Sequence, residues 1–437
     1  MNFDRMRFLL IDRALRGELF SNSKSVTSVE KSLNEQKTIP FPIPNTWQWK
    51  CVADCVQFNP KVVADDTVEV SFIPMADVEP GFVDQCSTKQ TKPWAKVKKG
   101  FSRFQEGDLL VAKITPCFQN RKSCVAKNLT HGIGAGSTEF HVMRCVKDVD
   151  TKFLLYFFKS EYFIRYGVNH FNGTVGQQRV GAQDIKDCLI PVPSFEEQTR
   201  IVAKLDEAFA EIDRAEKAYQ ELQTLSCVLR GQILQEAIQG KLVPQLDSEE
   251  EVQQIGDAPE DVPFAIPEKW KWFTLGSVIE YGKCNQLAGN EISSETWVLD
   301  LEDIEKNTGR ILDKKRGVST TSNKNKFEEG FVLYSKLRPY LNKVVIADES
   351  GVCTTEIVPI DVASAKVPLL ARYLQCYLMS PLFLNHANQA SYGVKMPRLG
   401  TKDARSALIP IPPIEEQKRI VDKIEDLLKQ VDALSGR

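Results

Sequence analysis

Leu189-Ile-Pro-Val-Pro-Ser-Phe-Glu-Glu-Gln-Thr-Arg-Ile-Val202 occurs a second time as Leu408-Ile-Pro-Ile-Pro-Pro-Ile-Glu-Glu-Gln-Lys-Arg-Ile-Val421, displaced by 219 residues. Working outward from this pair, Ile43-Pro-Asn-Thr-Trp-Gln-Trp49 returns as Ile266-Pro-Glu-Lys-Trp-Lys-Trp272. Phe104-Gln-Glu-Gly-Asp-Leu-Leu-Val-Ala-Lys113 returns as Phe327-Glu-Glu-Gly-Phe-Val-Leu-Tyr-Ser-Lys336. Both are displaced by 223, and Ser137-Thr-Glu139 matches Thr354-Thr-Glu356 at 217. Four copies in one order, with displacements that drift by a few residues, make the chain a tandem duplication.

Each Leu-Ile-Pro segment leads into a helical pattern. Proline fixes an extended entry, and Glu196-Glu197 suits the positive end of a helix dipole. Ile201, Leu205, Ala208, Ile212, Ala215, Tyr219, Leu222, Leu229 and Ile233 then recur in steps of three and four, interrupted once at Ser226. That is a heptad seam between charged faces, the pattern of a coiled coil. It predicts a helix over about 196–238, a rod roughly 65 Å long at 1.5 Å per residue. The second copy repeats the seam at Ile420, Ile424, Leu427, Val431 and Leu434, and is cut at Arg437.

Its missing part is at the other end of the sequence, where Ala14-Leu-Arg-Gly-Glu-Leu19 aligns with Ala237-Ile-Gln-Gly-Lys-Leu242. The repeat is therefore cyclic, and residues 1–19 are expected to continue the line of the 415–437 helix. Phe8, Ile11, Leu15 and Leu19 would form their apolar stripe.

The segments from about 20 to 39 and from 246 to 262 are polar and read as linkers. Between rods and linkers lie two blocks, 40–190 and 263–409, which mix short β-like runs with matching helices over Phe153–Phe163 and Tyr373–Phe383. They are α+β domains that share framework positions and differ elsewhere. A common scaffold with a divergent surface is what two modules reading different targets would show.

Composition sets the outer bounds. The 437 residues are 42% hydrophobic and 26% charged, an ordinary folded chain of two to four domains. No run of about 18 apolar residues suggests a membrane span, and Phe8–Ile11 is too short for a signal peptide. Eleven cysteines without a Cys-x-x-Cys pair read as free thiols in a reducing cytoplasm. The formal net charge of −2 excludes a polycation, yet the charge is uneven: +4 over 40–190, −10 over 191–262 and +3 over 263–409.

Chemistry of catalysis is missing. There is no phosphate-binding P-loop, and no Asn-Pro-Pro-Tyr or Asp-Pro-Pro-Tyr segment of an amino-group DNA methyltransferase. Gly132-Ile-Gly-Ala-Gly136 reads as a flexible turn rather than a nucleotide loop, and Asp148-x-Asp150-x-Lys152 as a solvated charge run. His131, His141, His170 and His386 have no metal-ligand spacing.

What the blocks do carry is basic, aromatic and amide-rich loop material. The first holds Lys89-Gln-Thr-Lys-Pro-Trp-Ala-Lys-Val-Lys-Lys99 and Gln119-Asn-Arg-Lys122. From these the candidates for DNA contact are Lys92, Trp94, Lys96, Lys98, Lys99, Asn120, Arg121 and Lys122. The second block offers Lys314, Lys315, Arg316, Lys324, Lys326, Lys336, Arg338, Tyr340 and Lys343. Lys and Arg position phosphates, while Arg, Asn and Gln read base edges. One such cluster is ordinarily solvated surface, but their recurrence in both copies points toward DNA.

With repeat, rods and Ile-Pro-x-Pro-x-x-x-Glu-Gln segments together, the sequence resembles the specificity subunit of type I restriction-modification systems, over its whole length. The residues that carry the resemblance are Ile190–Pro193, Glu197-Gln198 and Arg200–Val202, with Ile409–Pro412, Glu416-Gln417 and Arg419–Val421. Gly173-Thr-Val-Gly-Gln-Gln-Arg179 and Tyr392-Gly-Val-Lys-Met-Pro-Arg398 look like the loop that precedes that segment in the family, although the second copy lacks the Gln-Gln pair. Gln177, Gln178, Arg179, Lys395 and Arg398 join the candidates on that ground.

The resemblance implies an α+β chain with two α/β target recognition domains, separated by two long antiparallel coiled-coil helices in a pseudo-twofold cyclic repeat. Residues 1–39 would be a completing helix with its linker, 40–190 and 263–409 the recognition domains, 191–245 and 410–437 the rods, and 246–262 a linker. Each recognition domain would read half of a bipartite, asymmetric sequence in double-stranded DNA, with the rods setting the unread gap. Partners would be two methyltransferase subunits and restriction/translocase subunits, which would hold S-adenosylmethionine, ATP and Mg. This chain would bind no cofactor or metal and catalyse nothing itself. Two other functions fit parts of the sequence: a coiled-coil DNA-binding regulator, and a stand-alone restriction enzyme.

Overall fold

The computed structural model describes residues 2–20, 39–86, 88, 90–174, 176–317 and 322–435. Most of the first linker (21–38) and Lys89 lie outside the described residues. The chain forms two compact units, Met1–Ala218 and Tyr219–Arg437, and the division falls inside one helix, Phe195–Ile238. That helix has 44 residues, about 66 Å at 1.5 Å per residue.

The first unit opens with the helix Phe3–Leu15, capped by the Asn2 side chain, which accepts from the Arg5 amide at 2.9 Å. Its inward stripe is Phe3, Ile11, Ala14 and Leu15, while Phe8 is half-buried. Arg7 on the same face is buried because Asp213 and Glu216 of the long helix accept from its guanidinium at 2.5 and 2.8 Å. The helix stops at Gly17, whose φ of +73° only glycine adopts freely. Its amide donates to Ala14 O, and that of Glu18 to Arg13 O.

Strand Gln48–Cys51 pairs antiparallel with Leu189–Val192, setting Trp49 opposite Pro191. The two duplicated motifs are thus partners in space. From there the chain enters the long helix, where Gln198 is fully buried. Its side-chain oxygen accepts from the Asp150 amide at 2.8 Å, and its nitrogen donates to Asp148 O and Pro193 O at 3.2 and 3.0 Å. Ile201, Leu205, Phe209 and Ile212 are buried on the following turns.

The recognition block has two larger sheets besides the two-stranded pair Phe171–Asn172 and Arg179–Val180. One runs in the order Val56–Phe58, Phe140–Cys145, Leu109–Ala112, Ser123–Ala126, Gln85–Cys86, and the other Thr91–Pro93, Glu69–Ile73, Ile133–Gly136, Ser102–Gln105. The glycine cluster expected as a turn is therefore an interior strand. A Cβ on Gly134 would lie 2.2 Å from the Phe104 ring, and one on Gly136 2.2 Å from Ile73 O, so packing excludes any side chain there. Cys86 and Cys124 form a disulfide with a Cα separation of 5.7 Å, which corrects the reading of all eleven cysteines as free.

The second unit repeats this frame. Lys271–Thr274 pairs with Leu408–Ile411, with Trp272 opposite Pro410. Gln417 accepts from the Leu370 amide and donates to Pro368 O and Pro412 O, each at 2.9 Å. Gly240 ends the long helix at φ +70° as Gly17 ends the first, and Arg230 donates to Asp432 of the C-terminal helix Ile414–Ser435.

The second recognition block holds Gln286–Leu287, Lys324–Phe327, Gly351–Thr354, Trp297–Leu299 in one sheet and Val344–Ile346, Val332–Ser335, Ile357–Ile360 in the other. Phe327 presses on Gly351 as Phe104 does on Gly134. The units differ at the sheet edges, where the first adds Val56–Phe58 and Gln85–Cys86. Each helix expected as one, over 153–163 and 373–383, is broken in two. Ser160 and Ser380 accept from the amides of Phe163 and Phe383 and cap a new helix start.

Candidate nucleic-acid interface

The loops 173–179 and 392–398 are fastened in the same way in each unit. Arg179 donates from Nε and Nη2 to the Glu139 carboxylate, both at 2.9 Å, and from Nη1 to Gln177 O at 3.1 Å. Arg398 donates from Nε to both Glu356 oxygens at 3.1 Å. The Arg179 guanidinium holds Glu139 below the usual carboxylate range.

Backbone bonds match as well. The amides of Val180 and Leu399 donate to Lys113 O and Lys336 O at 3.0 Å, while Lys113 and Lys336 donate to Glu139 O and Glu356 O at 2.9 and 3.0 Å. Thr115 and Arg338 donate to Gln178 O and Pro397 O at 2.9 and 2.7 Å. The Ser137–Glu139 and Thr354–Glu356 motifs thus anchor these loops, a role the sequence does not announce.

Beyond this base the loops diverge. The first presents exposed Thr174, Gly176 and Gln177, with Gln178 half-buried. The second presents Tyr392, Val394 and Met396, exposed by 62%, 100% and 51%, with exposed Lys395 among them. Sequence reasoning selected Lys395 and missed these three apolar residues. The available signal was their place in a loop that Gly393 and Pro397 keep out of helix and strand.

A groove of about 570 Å³ beside the first loop is lined by Asn59, Arg103, Lys113, His141 and Arg179 among others. Its positive charge comes from Arg103, Lys113 and Arg179. Burial pushes His141 down to about 4, and its Nε2 lies 3.1 Å from Val180 O.

The structure removes several of the sequence candidates. Trp94 is 3% exposed, packed with Val62, Val70 and Phe72, and has no face for DNA. Lys324 is buried against Asp300 at 3.0 Å. Lys122 and Lys343 occupy equivalent places and donate to Met75 O and Leu301 O at 3.2 and 2.6 Å, so they brace short helical turns. Arg121 lies over the Phe8 ring and donates to Glu161 and Lys159 O.

Other candidates are partly spent in ion pairs. Lys98 pairs with Asp66, Lys314 with Asp348, Lys315 with Glu302 and Asp303, and Arg316 with Glu349. Lys92 sits over the Phe72 ring. Lys96, Lys99, Asn120, Lys326 and Tyr340 are exposed, and Lys336 and Arg338 half-buried. The charge run at 148–152 is structural too: Asp150 caps Thr151–Lys159, and Lys152 pairs with Asp84 and Asp206. Among the described residues no group of His, Cys, Asp and Glu could hold a metal ion, and no helix is long and apolar enough to cross a membrane.

Known proteins share this organisation. The type I restriction enzyme EcoAI specificity subunit of Escherichia coli is 27% identical over 98% of this chain and 90% of its own length. The EcoEI specificity subunit, also of Escherichia coli, is 25% identical over 99% and 90%. In fold, the chain is similar to one from a structural study of complex assembly and conformational transition of the type I R-M system. There the TM-score is 0.66 at 19% identity, over 91% of this chain and 93% of that one. The HsdS subunit of Thermoanaerobacter tengcongensis gives 0.53 at 18% identity, over 90% and 92%. Residues 44–224 and 267–437, one stretch in each copy of the duplication, match the family model described as "Type I restriction modification DNA specificity domain", and the chain belongs to that family.

Proposed function

We propose that this chain is the DNA sequence-specificity subunit of a type I restriction-modification complex, reading a bipartite, asymmetric target with blocks 40–190 and 263–409. The observation that carries the reading is the pair of loops with matching anchors and unlike tips. A shared base keeps both modules in one geometry. Different tips let each select different base pairs.

On this reading two methyltransferase subunits and restriction/translocase subunits assemble on the chain in the cytoplasm. They bring S-adenosylmethionine, ATP and Mg, and the chemistry is theirs. Support comes from the exposed row Leu222, Leu225, Val228 and Leu229 on the long helix, an apolar strip of the kind that partner proteins cover.

Selection from a duplex pool of random sequence, with the full chain and its methyltransferase subunits, tests the reading. The expected product is a two-part asymmetric sequence with an unread gap. A palindrome, the mark of a symmetric dimeric regulator, or no enrichment at all, would overturn it.

A further inference from the structure

We propose that the tip of loop 392–396 is an apolar reading prong, which contacts thymine methyl groups in the half-site read by block 263–409. The inference rests on the specificity-subunit reading and names the chemistry of one of its contacts. Single exposed apolar residues are common on any surface. Here three of five consecutive residues are apolar and at least half exposed, and Val394 touches no other residue closely enough to be covered.

The base of the tip is fastened. Tyr392 and Arg398 exchange backbone hydrogen bonds at 3.1 and 2.9 Å, Arg338 N donates to Pro397 O, and Glu356 holds the Arg398 guanidinium. Gly393 turns the chain at φ +98°. A loop fastened at its base in this way presents its apolar side chains to water.

Two facts select DNA as the occupant. Lys395 stands exposed between Val394 and Met396, where a cation suits a phosphate. Counted back from the matched anchors Arg179 and Arg398, the first loop has Gln177 in the place of Met396, an amide that matches an adenine edge, and Val175, outside the described residues, in the place of Val394. In the major groove the apolar counterpart of those donors and acceptors is the thymine C5-methyl group. The two loops share that valine and differ around it, with an amide at Gln177 in one and an apolar side chain at Met396 and a ring at Tyr392 in the other. Tyr392, Val394 and Met396 are the specificity-determining residues of the second.

The test uses the full chain and the two-part duplex recovered by selection, remade with deoxyuridine for thymidine in one half at a time. Wild-type chain should bind about fourfold more weakly for each contacted methyl lost in the half read by 263–409. Val394→Ser should bind the thymidine duplex about as weakly as wild type binds the deoxyuridine one, and should no longer distinguish them. Its response to deoxyuridine in the other half should match wild type. The side chain is wholly exposed, so this variant should melt with the parent. Indifference of wild type to deoxyuridine in that half, or a Val394→Ser chain that still discriminates, overturns the prong. Loss of a methyltransferase subunit from Val394→Ser without any deoxyuridine effect overturns it too, since the tip would then be a protein contact. Failure to recover a two-part duplex defeats the specificity reading itself, a separate result.

Discussion

His141 shows how a single residue can set a condition on the fold. Its buried ring stays neutral, with a pKa near 4 against an ordinary value of 6.5. Between those values the unfolded chain binds a proton that the folded chain does not. The stability contributed by this site is thus present above pH 6.5 and is lost as pH falls toward 4, by about 3 kcal/mol in all. Chemical denaturation at stepped pH should show this loss, and His141→Gln should remove most of it. An unchanged slope in the variant would place the pH dependence elsewhere. Residues were the least legible scale in the sequence. Trp94 among lysines looked like a DNA contact, yet its ring fills a core whose other members, Val62, Val70 and Phe72, lie tens of residues earlier. Lys122 and Lys343 looked like surface charge because the carbonyls they brace are as remote. Val394 and Met396 were passed over because exposure is a tertiary property.

Among elements, the long helix was the most legible, but the expected seam is covered only toward its ends, at Ile201, Leu205, Ile212 and Ile233; Ala215, Leu222 and Leu229 are exposed, and Ser226, which interrupts the pattern, is buried. Its boundaries at Phe195 and Ile238 follow the acidic first turn and the Gly240 stop. The strand at 133–136 was not legible, because the Phe104 ring beside Gly134 and the Ile73 carbonyl beside Gly136 come from other strands. The Cys86–Cys124 disulfide was equally hidden, as a separation of 38 residues carries no pattern. The helix stops give a paired test. A Cβ at Gly17 would meet Pro44 Cγ at 2.4 Å, and at Gly240 would meet Pro267 Cγ at 2.4 Å, besides the cost of positive φ. Gly256, at φ +69°, has open space. Gly17→Ala and Gly240→Ala should each cost about 2–4 kcal/mol, and Gly256→Ala only about 1. Equal melting temperatures across the three would show that Pro44 and Pro267 yield without cost.

At the scale of the whole molecule, duplication was fully legible because it needs only the chain compared with itself. The proposed division of labour predicts modular behaviour. Replacing 40–190 by the corresponding block of a relative should change one half of the selected sequence and leave the other. Four extra residues after Ile212 lengthen the helix by about 6 Å and should widen the unread gap by one or two base pairs. Methylation mapping in cells would read both results, and a swap that altered both halves together would end the idea of separate modules.

Gln198 and Gln417 close matching clamps, one in each unit, so that on the proposed reading the two halves of a target could fail separately. A complex with both halves ruined finds no target. A complex with one half intact and the other blind still binds, and each base pair it no longer checks raises its chance matches in a genome about fourfold. On the proposed reading, such a half-blind subunit would direct its partner subunits to sequences outside the target. Natural selection should therefore guard Gln198 and Gln417, which the fold keeps away from solvent, as strictly as any side chain that meets a base.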